Sequence, residues 1–353
     1  MASAPALASP HPRRRFLVRA VAGTAITGVF LLLLSRYVDW HRFVGLLRQS
    51  RPPLLVGAFA MYIGLYAVRA LRFKLITPRA PYGTMFSITC VHNFLLRLLP
   101  MRTGDLSYAF LAKRAGLAGL GEGLISLVLV RLFDAGTVVV LFGATLALNR
   151  GVYRGDPRVG LVAAGAVLVL GILGVVFFRQ LLGLGAAVLR GGGRLVGADR
   201  NERVRRFLDR VESSVRSFAS TPARVLFWVA ITTTFQWVLN FLIFFAIMRG
   251  FALRVSVAQV VLGGTAAVVS GFLPLGGIGT FGTLEDGWAL GFALAGLEPS
   301  VAVASAFGFS IVTLLYGAAL GLVGWIALTR GSFGQGSVQT REASDDGPTD
   351  AQR

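Results

Sequence analysis

The apolar stretch Val255–Leu284 constrains the fold more than any other part of this 353-residue chain. It contains no charged residue, yet the run Pro274-Leu275-Gly276-Gly277-Ile278-Gly279 lies in its middle. Proline lacks an amide donor and glycine costs backbone entropy, so these six residues disfavour a continuous helix. At membrane depth, irregular backbone is tolerated only where protein or a water-filled cavity surrounds it. The pattern predicts a broken helix beside an interior cavity, the arrangement from which transporters build substrate sites.

The composition indicates an integral membrane protein, because 55% of the residues are hydrophobic and only 14% are charged, whereas a soluble domain has about a quarter charged. The formal net charge of +19 lies mostly between apolar spans, so membrane topology and anionic headgroups explain it better than nucleic acid. The single cysteine, Cys90, excludes an internal disulfide or a thiolate metal cluster, and three histidines are too few for a histidine metal site. We therefore expect no metal, cofactor or nucleic-acid partner.

The chain divides into a cytoplasmic N-terminal tail (1–14), a transmembrane domain (15–330) and a disordered C-terminal tail (331–353). Within the domain we expect repeat one at about 15–148, repeat two at about 159–330, and a basic connection at about 179–221. The segment Arg179–Arg216 holds nine arginines and the loop Asn149–Arg158 holds three. Since cytoplasmic loops carry the excess of arginine, this count predicts an inner-membrane protein with both termini in the cytoplasm. Four arginines in Arg36–Arg51 count against that orientation.

Two segments of the domain, Tyr82–Ala115 and Val255–Ala295, are each predicted to form a broken hairpin. If each hairpin enters and leaves the membrane on one side, the two halves share one plan in opposite orientation, which is an inverted-topology repeat. The predicted fold is thus all-α: a polytopic helical membrane bundle of two inverted repeats, each with a broken, re-entrant hairpin. The alternative is that both hairpins cross fully, which gives ten crossings.

The broken segment of the second half has the chemistry of an anion site. Amide groups near Gly276, Gly277 and Gly279 are freed from helical hydrogen bonding, and a half-helix starting near Phe281 directs its positive end into the break. Pro274 starts the break, and Glu285 and Asp286 lie about one turn into the half-helix, where they cap it or pair with a cation. The alternative is a hinge or a closely packed glycine patch.

The first hairpin combines two arginines, an amide and an acid beside a proline break. Guanidinium groups bind phosphate bidentately, so these residues suit an anionic headgroup. The alternative is that the arginines only reach the headgroup level of the inner leaflet. The candidate residues are Asn93, Arg97, Pro100, Arg102, Gly104 and Asp105.

Two further charge pairs lie in predicted spans. Arg131 and Asp134 are three residues apart near the middle of a span, so they share a helix face and should face protein or water. The alternative is an ion pair within their own helix. Arg69 and Arg72, near the end of another span, are interpreted as topology anchors rather than ligands.

Four short motifs occur along the chain: Ala70-Leu71-Arg72-Phe73-Lys74; Asn93 with Pro100, Arg102, Gly104 and Asp105; Arg131-Leu132-Phe133-Asp134; and Pro274 with Gly276-Gly277-Ile278-Gly279. In this order and spacing the chain resembles the flippase-like membrane family that includes the transmembrane region of lysylphosphatidylglycerol synthases, also grouped as a YbhN-type family. The resemblance covers roughly 15–330. It implies movement of a lipid with a charged or glycosylated headgroup between leaflets.

The residues at which the chain departs from the family narrow the expected substrate. Asp105 and Tyr108 occupy positions where the family usually has Glu and Arg, and Val130 and Gly282 occupy positions where it has acids. These losses of charge count against lysylphosphatidylglycerol as the lipid. The aminoacyl-transferase domain of the full synthase is missing from the sequence, so the chain is not expected to make that lipid.

The sequence therefore predicts a flippase-like protein that is not an enzyme and that translocates an anionic, aminoacylated or glycosylated lipid, phospholipid or polyprenyl-linked. Its partners would be membrane lipids, with lipid- or glycan-synthesis enzymes as further candidates. The alternatives are a membrane glycosyl- or phosphoglycosyl-transferase acting on a polyprenyl phosphate, a secondary transporter of a small anion, or a helper subunit of a lipid-synthesis complex. No nucleophile elbow, phosphate-binding loop or zinc-protease motif occurs. The predicted substrate-binding residues are Asn93, Arg97, Arg102, Asp105, Arg131, Asp134, Pro274, Gly276, Gly277, Gly279 and Glu285.

Overall fold

The structure, a computed structural model, describes residues 44–45, 48–99, 104–149, 151–152, 158, 162, 165, 169, 221–272 and 283–331. No strand occurs in these ranges, which confirms the predicted all-α class. The helices with defined bounds are α1 (Pro52–Ile76), α2 (Tyr82–Leu98), α3 (Asp105–Arg114), α4 (Leu120–Leu148), α5 (Ala223–Gly250), α6 (Val257–Phe272), α7 (Thr283–Leu294) and α8 (Pro299–Gly331).

Four of these helices, α1, α4, α5 and α8, are long and apolar enough to cross a membrane, since a span needs about 20 mostly apolar residues. They confirm the prediction of a polytopic helical membrane protein. α6 is apolar but shorter. Prolines at the first positions of α1 and α8 suit helix starts, where an amide donor is not needed.

The long helices and hairpins pack in a reciprocal pattern. α1 lies against α5, the first long helix of the other half. The first hairpin helix of each half contacts the last helix of the opposite half, so α2 packs on α8 and α6 packs on α4. This exchange supports two units of one plan. The opposite orientation of the units, and whether their hairpins are re-entrant, stay predictions.

Aromatic side chains from three helices form the centre of the core. Trp288 of α7 stacks on Phe309 of α8 with ring centroids 4.3 Å apart, and Phe244 of α5 meets Phe309 edge-on at 4.7 Å. Such pairs add about 0.5–1.5 kcal/mol each beyond the area that they bury. They fix α5, α7 and α8 relative to one another beside the site described below.

In each hairpin, a glycine allows the two helices to approach each other closely. A Cβ atom built on Gly104 would lie 2.5 Å from the Cα of Leu96, so only glycine lets the start of α3 approach α2. In the second half, a Cβ on Gly287 would lie 2.8 Å from the carbonyl oxygen of Ala266 in α6. The predicted glycine break Pro274–Gly279, the tails 1–14 and 332–353, and the connection 179–220 lie outside the described residues.

Candidate functional site

A cavity of about 170 Å³ lies between the helices of both halves. Its lining contains four arginines and one aspartate, all from α1, α2 and α4, whereas α5 contributes amide and aromatic side chains. The polar lining residues are Arg69, Arg72, His92, Asn93, Arg97, Arg131, Asp134, Gln236, Trp237 and Asn240. A cationic interior of this kind within an apolar bundle is costly and marks a functional site.

The deepest charges form a buried ion pair between α1 and α4. Arg72 donates to Asp134 through Nη1 at 2.5 Å and through Nη2 at 3.5 Å, and the two side chains are only 4% and 3% exposed. The same carboxylate accepts a hydrogen bond from Trp237 Nε1 at 2.9 Å and a longer one from Gln236 Nε2 at 3.4 Å. Asp134 therefore joins α1, α4 and α5, and Arg72 neutralises its charge.

A second ion pair joins α3 to α4 at the more open part of the site. Arg131 Nη2 lies 2.8 Å from Asp105 Oδ1, with side chains 32% and 28% exposed. Arg131 and Asp134 thus each pair with a residue of another helix. The alternative of an ion pair within α4 is therefore wrong, because neighbouring helices offer both side chains a closer partner.

Two arginines of the cavity have neutral hydrogen-bond partners among the described residues. Arg69 donates to the Asn93 side-chain oxygen at 2.6 Å, and its guanidinium carbon lies 5.7 Å from the centre of the Tyr66 ring. Arg97 of α2 donates to the Thr313 hydroxyl of α8 at 3.0 Å. In the part of the chain that the structure describes, neither guanidinium contacts a carboxylate. Their positive charges are therefore available to an anion.

Two other polar pairs complete the surroundings. The buried His92 ring shares a hydrogen bond with the Ser107 hydroxyl at 2.9 Å, which ties α2 to α3. Glu285 is buried in α7, accepts a hydrogen bond from the Ser310 hydroxyl of α8, and does not line the cavity. Asp286 is exposed.

The structure brings together part of the predicted site. Asn93, Arg97, Arg131 and Asp134 line the cavity, and Asp105 contacts Arg131 at its side. Glu285 lies in a separate contact between α7 and α8. The remaining predicted residues, Pro100, Arg102, Pro274, Gly276, Gly277 and Gly279, lie outside the described residues.

Several cavity residues differ from the sequence-based expectation or lie outside it. Arg69 and Arg72 both line the cavity instead of acting only as topology anchors, and Arg72 is buried because Asp134 neutralises it. Gln236 and Asn240 were missed, although two amides four residues apart on an apolar helix share one face. That spacing was the available signal, because polar side chains in a span tend to face the bundle interior.

The helices that line the cavity lie in a part of the chain that matches a known family. A family model described as the lysylphosphatidylglycerol synthase TM region matches residues 20–321, which include every helix of the cavity up to the last part of α8. The chain belongs to this family. The match confirms the resemblance drawn from the four sequence motifs.

The chain is also similar to a distant relative, the glycosyltransferase AglD of Haloferax volcanii. It is 27% identical over an alignment of 193 positions, which covers 47% of this chain and 31% of the relative. The chain therefore spans about a third of the relative's length, and the activity in the printed name belongs to that protein. No solved structure matches the chain significantly.

Proposed function

We propose that this protein moves a lipid with an anionic headgroup from one leaflet of the inner membrane to the other and is not itself an enzyme. The observation that carries the proposal is the pair Arg69 and Arg97, two guanidinium groups in the cavity that neutral partners hold. Charges at membrane depth are rarely kept without a partner or a function. A phosphate group is the partner that guanidinium geometry fits best.

The position of Arg97 supports a route for the headgroup between the two halves. Its hydrogen bond to Thr313 joins α2 of the first half to α8 of the second half. A phosphate that enters the cavity takes over the Arg97 donors and releases Thr313, so binding weakens a contact between the halves. The acyl chains stay in the bilayer while the halves move relative to each other, as in transporters built from repeats.

The other parts of the proposal follow from its membrane setting. Membrane lipids are the proposed partners, and enzymes that synthesise lipids or glycans are further candidates because they would supply the cargo. We propose that both termini lie in the cytoplasm, because the predicted connection carries an excess of arginine. The flipping assay is run with and without an ion gradient, which tests the energy source of transport.

The experiment measures lipid movement in vesicles that contain the purified protein. The probe is phosphatidylglycerol labelled on an acyl chain with a fluorophore that a membrane-impermeant reductant bleaches in the outer leaflet. Arg69→Gln and Arg97→Gln are compared with Arg224→Gln, which removes the same charge at the exposed start of α5. Because hydrogen bonds to charged groups contribute about 1.5–3 kcal/mol, we expect each cavity variant to slow flipping by about tenfold to a hundredfold and the control to match the parent.

Two results would contradict the proposal. One is a parent protein that does not accelerate flipping above empty vesicles, with or without a pH gradient or a membrane potential. The other is a pair of cavity variants that flip as fast as the Arg224→Gln control at equal reconstitution. Either result would leave the arginine cavity without the proposed role.

A second candidate function comes from the printed name of the distant relative, a glycosyltransferase. If the chain catalysed such a reaction, purified protein incubated with polyprenyl phosphate and a radiolabelled sugar nucleotide would form a labelled lipid. The proposal predicts no labelled lipid under conditions in which the vesicle assay shows flipping. The two functions are therefore separated by one pair of assays on the same preparation.

A further inference from the structure

Two polar groups of the cavity wall, one on α5 and one on α1, have no hydrogen-bond partner among the described residues. Gln236 is 1% exposed, and its side-chain oxygen has no hydrogen-bond partner in the described part of the chain. Arg72, 3% exposed, likewise has an unpartnered Nε–H group. Both residues line the cavity. Buried polar groups are nearly always hydrogen-bonded, so we expect these two atoms to bind a hydrogen-bond partner outside the described residues.

The two atoms belong to side chains that meet at one carboxylate oxygen. Arg72 Nη1 and Gln236 Nε2 both donate to Asp134 Oδ1, at 2.5 Å and 3.4 Å. A single partner of both atoms would accept a hydrogen bond from the Arg72 Nε–H and donate one to the Gln236 oxygen. An ionised phosphate diester only accepts and an ammonium group only donates, whereas a hydroxyl group does both.

Asn240 extends this wall one turn further along α5. It lies on the same helix face as Gln236, lines the cavity, and its side chain makes no hydrogen bond among the described residues. An amide offers both donors and an acceptor, so it too suits hydroxyl groups. Trp237 lies beside them and is fixed through its bond to Asp134.

The charges of the cavity oppose a cationic headgroup. Four arginines and one aspartate line it, and that aspartate already accepts from Arg72, Trp237 and Gln236. An ammonium group would meet like charges at short range without a free carboxylate among the described lining residues. An aminoacylated lipid therefore fits this cavity poorly.

We propose that Gln236, Asn240 and the Nε–H of Arg72 form a subsite for hydroxyl groups, so that the lipid handled is a phosphate ester of a sugar or polyol. The inference rests on the proposed function, since Arg69 and Arg97 bind the phosphate in both. It narrows the anionic lipids to those whose phosphate carries a neutral, hydroxylated substituent. Arg69 and Arg97 thus bind the charge, while the α5 amides together with the Arg72 Nε–H bind the hydroxyl groups.

The test is an equilibrium titration of the detergent-solubilised full chain with three short-chain lipids that share their acyl chains. Phosphatidic acid offers phosphate alone, phosphatidylinositol adds a polyol, and lysyl-phosphatidylglycerol adds a cation. Binding is followed by tryptophan fluorescence, because Trp237 lines the cavity. We expect phosphatidylinositol to bind about tenfold more tightly than phosphatidic acid, and lysyl-phosphatidylglycerol to bind more weakly than either.

Two variants probe the subsite, and a third serves as the control. Asn240→Leu breaks no hydrogen bond of the described protein, so its folding should be retained, and Gln236→Met removes the unpartnered oxygen. Each should lower the ratio of phosphatidylinositol affinity to phosphatidic acid affinity toward one. Thr234→Leu, on the exposed face of the same helix, should leave the ratio at the parent value. Size-exclusion profiles and unfolding temperatures establish that the variants are folded.

The outcomes separate this inference from the proposed function. Equal affinity of the parent for phosphatidic acid and phosphatidylinositol, or an unchanged ratio in Asn240→Leu, would overturn the hydroxyl subsite while anionic lipid binding stands. In that case water completes the hydrogen bonds of Arg72 and Gln236. If the parent binds none of the lipids and flips none in vesicles, the proposed function fails together with the inference.

Discussion

Among the described helices, the two halves of the molecule share one order, a long helix, two shorter helices and another long helix, but they line the cavity differently. In the described residues the first half contributes every charged lining side chain. The second half contributes amides, aromatic rings and small apolar residues from α5, α6, α7 and α8. One structural plan therefore carries two kinds of recognition surface.

The proposed function assigns affinity and selectivity to different residues. In that proposal the arginines of α1, α2 and α4 set the preference for an anion, which any phosphate would satisfy. The proposed hydroxyl subsite would then distinguish what the phosphate carries, because unpaired polar groups discriminate strongly against a ligand that lacks the matching group. Motion of one half against the other would then separate the two sets of contacts.

The largest effect is expected at the buried ion pair of the first half, whose carboxylate is also bonded from the second half. Asp134→Leu leaves Arg72 buried without its partner and removes the acceptor of Trp237, so we expect a loss of about 3–5 kcal/mol in unfolding free energy. Combining it with Arg72→Met removes the orphaned charge and should recover most of that loss. The measurement is the unfolding midpoint of purified protein in detergent. A single variant as stable as the parent would show that the pair is not structural.

A smaller effect is expected at the close approach of α6 and α7. A Cβ on Gly291 would press against the carbonyl oxygen of Gly263 and lie 2.7 Å from the Cβ of Ala266. Gly291→Ala should therefore cost about 1–3 kcal/mol, as overpacking does in cores. Gly136→Ala in α4 is the matched control, since nothing lies within 4 Å of the added carbon. Equal unfolding midpoints in the two variants would show that the hairpin is loosely packed.

Much of the fold was predictable because membrane spans have a simple signal. Length and hydropathy alone place helices such as α1, α4, α5 and α8, since lipid demands about 20 apolar residues with satisfied backbone groups. The two hairpin regions also follow from local chemistry, as glycine and proline interrupt helices. The order of these elements then gives the two-unit plan without any tertiary information.

The site was predicted only in part, because pairing between helices is a tertiary property. Asp134 was correctly placed as an inward-facing group, but its partner Arg72 is 62 positions away in the sequence. Nothing in the local pattern distinguishes a buried arginine near a helix end from one that reaches the headgroups. The amides Gln236 and Asn240 had a usable periodic signal, yet their unpartnered atoms follow only from the three-dimensional contacts.

The smallest effect is expected at the second ion pair, which resembles the first in chemistry and differs in exposure. The Arg131–Asp105 pair is about 30% exposed, against 3–4% for Arg72–Asp134, so water screens most of its attraction. Asp105→Asn should therefore change the unfolding free energy by no more than about 1 kcal/mol. Removing the carboxylate also leaves more positive charge beside the cavity, so phosphatidic acid should bind roughly twofold to threefold more tightly.

Glu122→Gln removes the same charge at the start of α4, where the carboxylate caps the helix, and separates a general charge effect from a local one. If only Asp105→Asn tightens phosphatidic acid binding, the Arg131 guanidinium contributes to the anion site from the side that faces water. If Asp105→Asn instead destabilises the protein as much as Asp134→Leu, both ion pairs are structural. The anion site would then consist of Arg69 and Arg97 alone, because these two arginines have no carboxylate contact in the described chain.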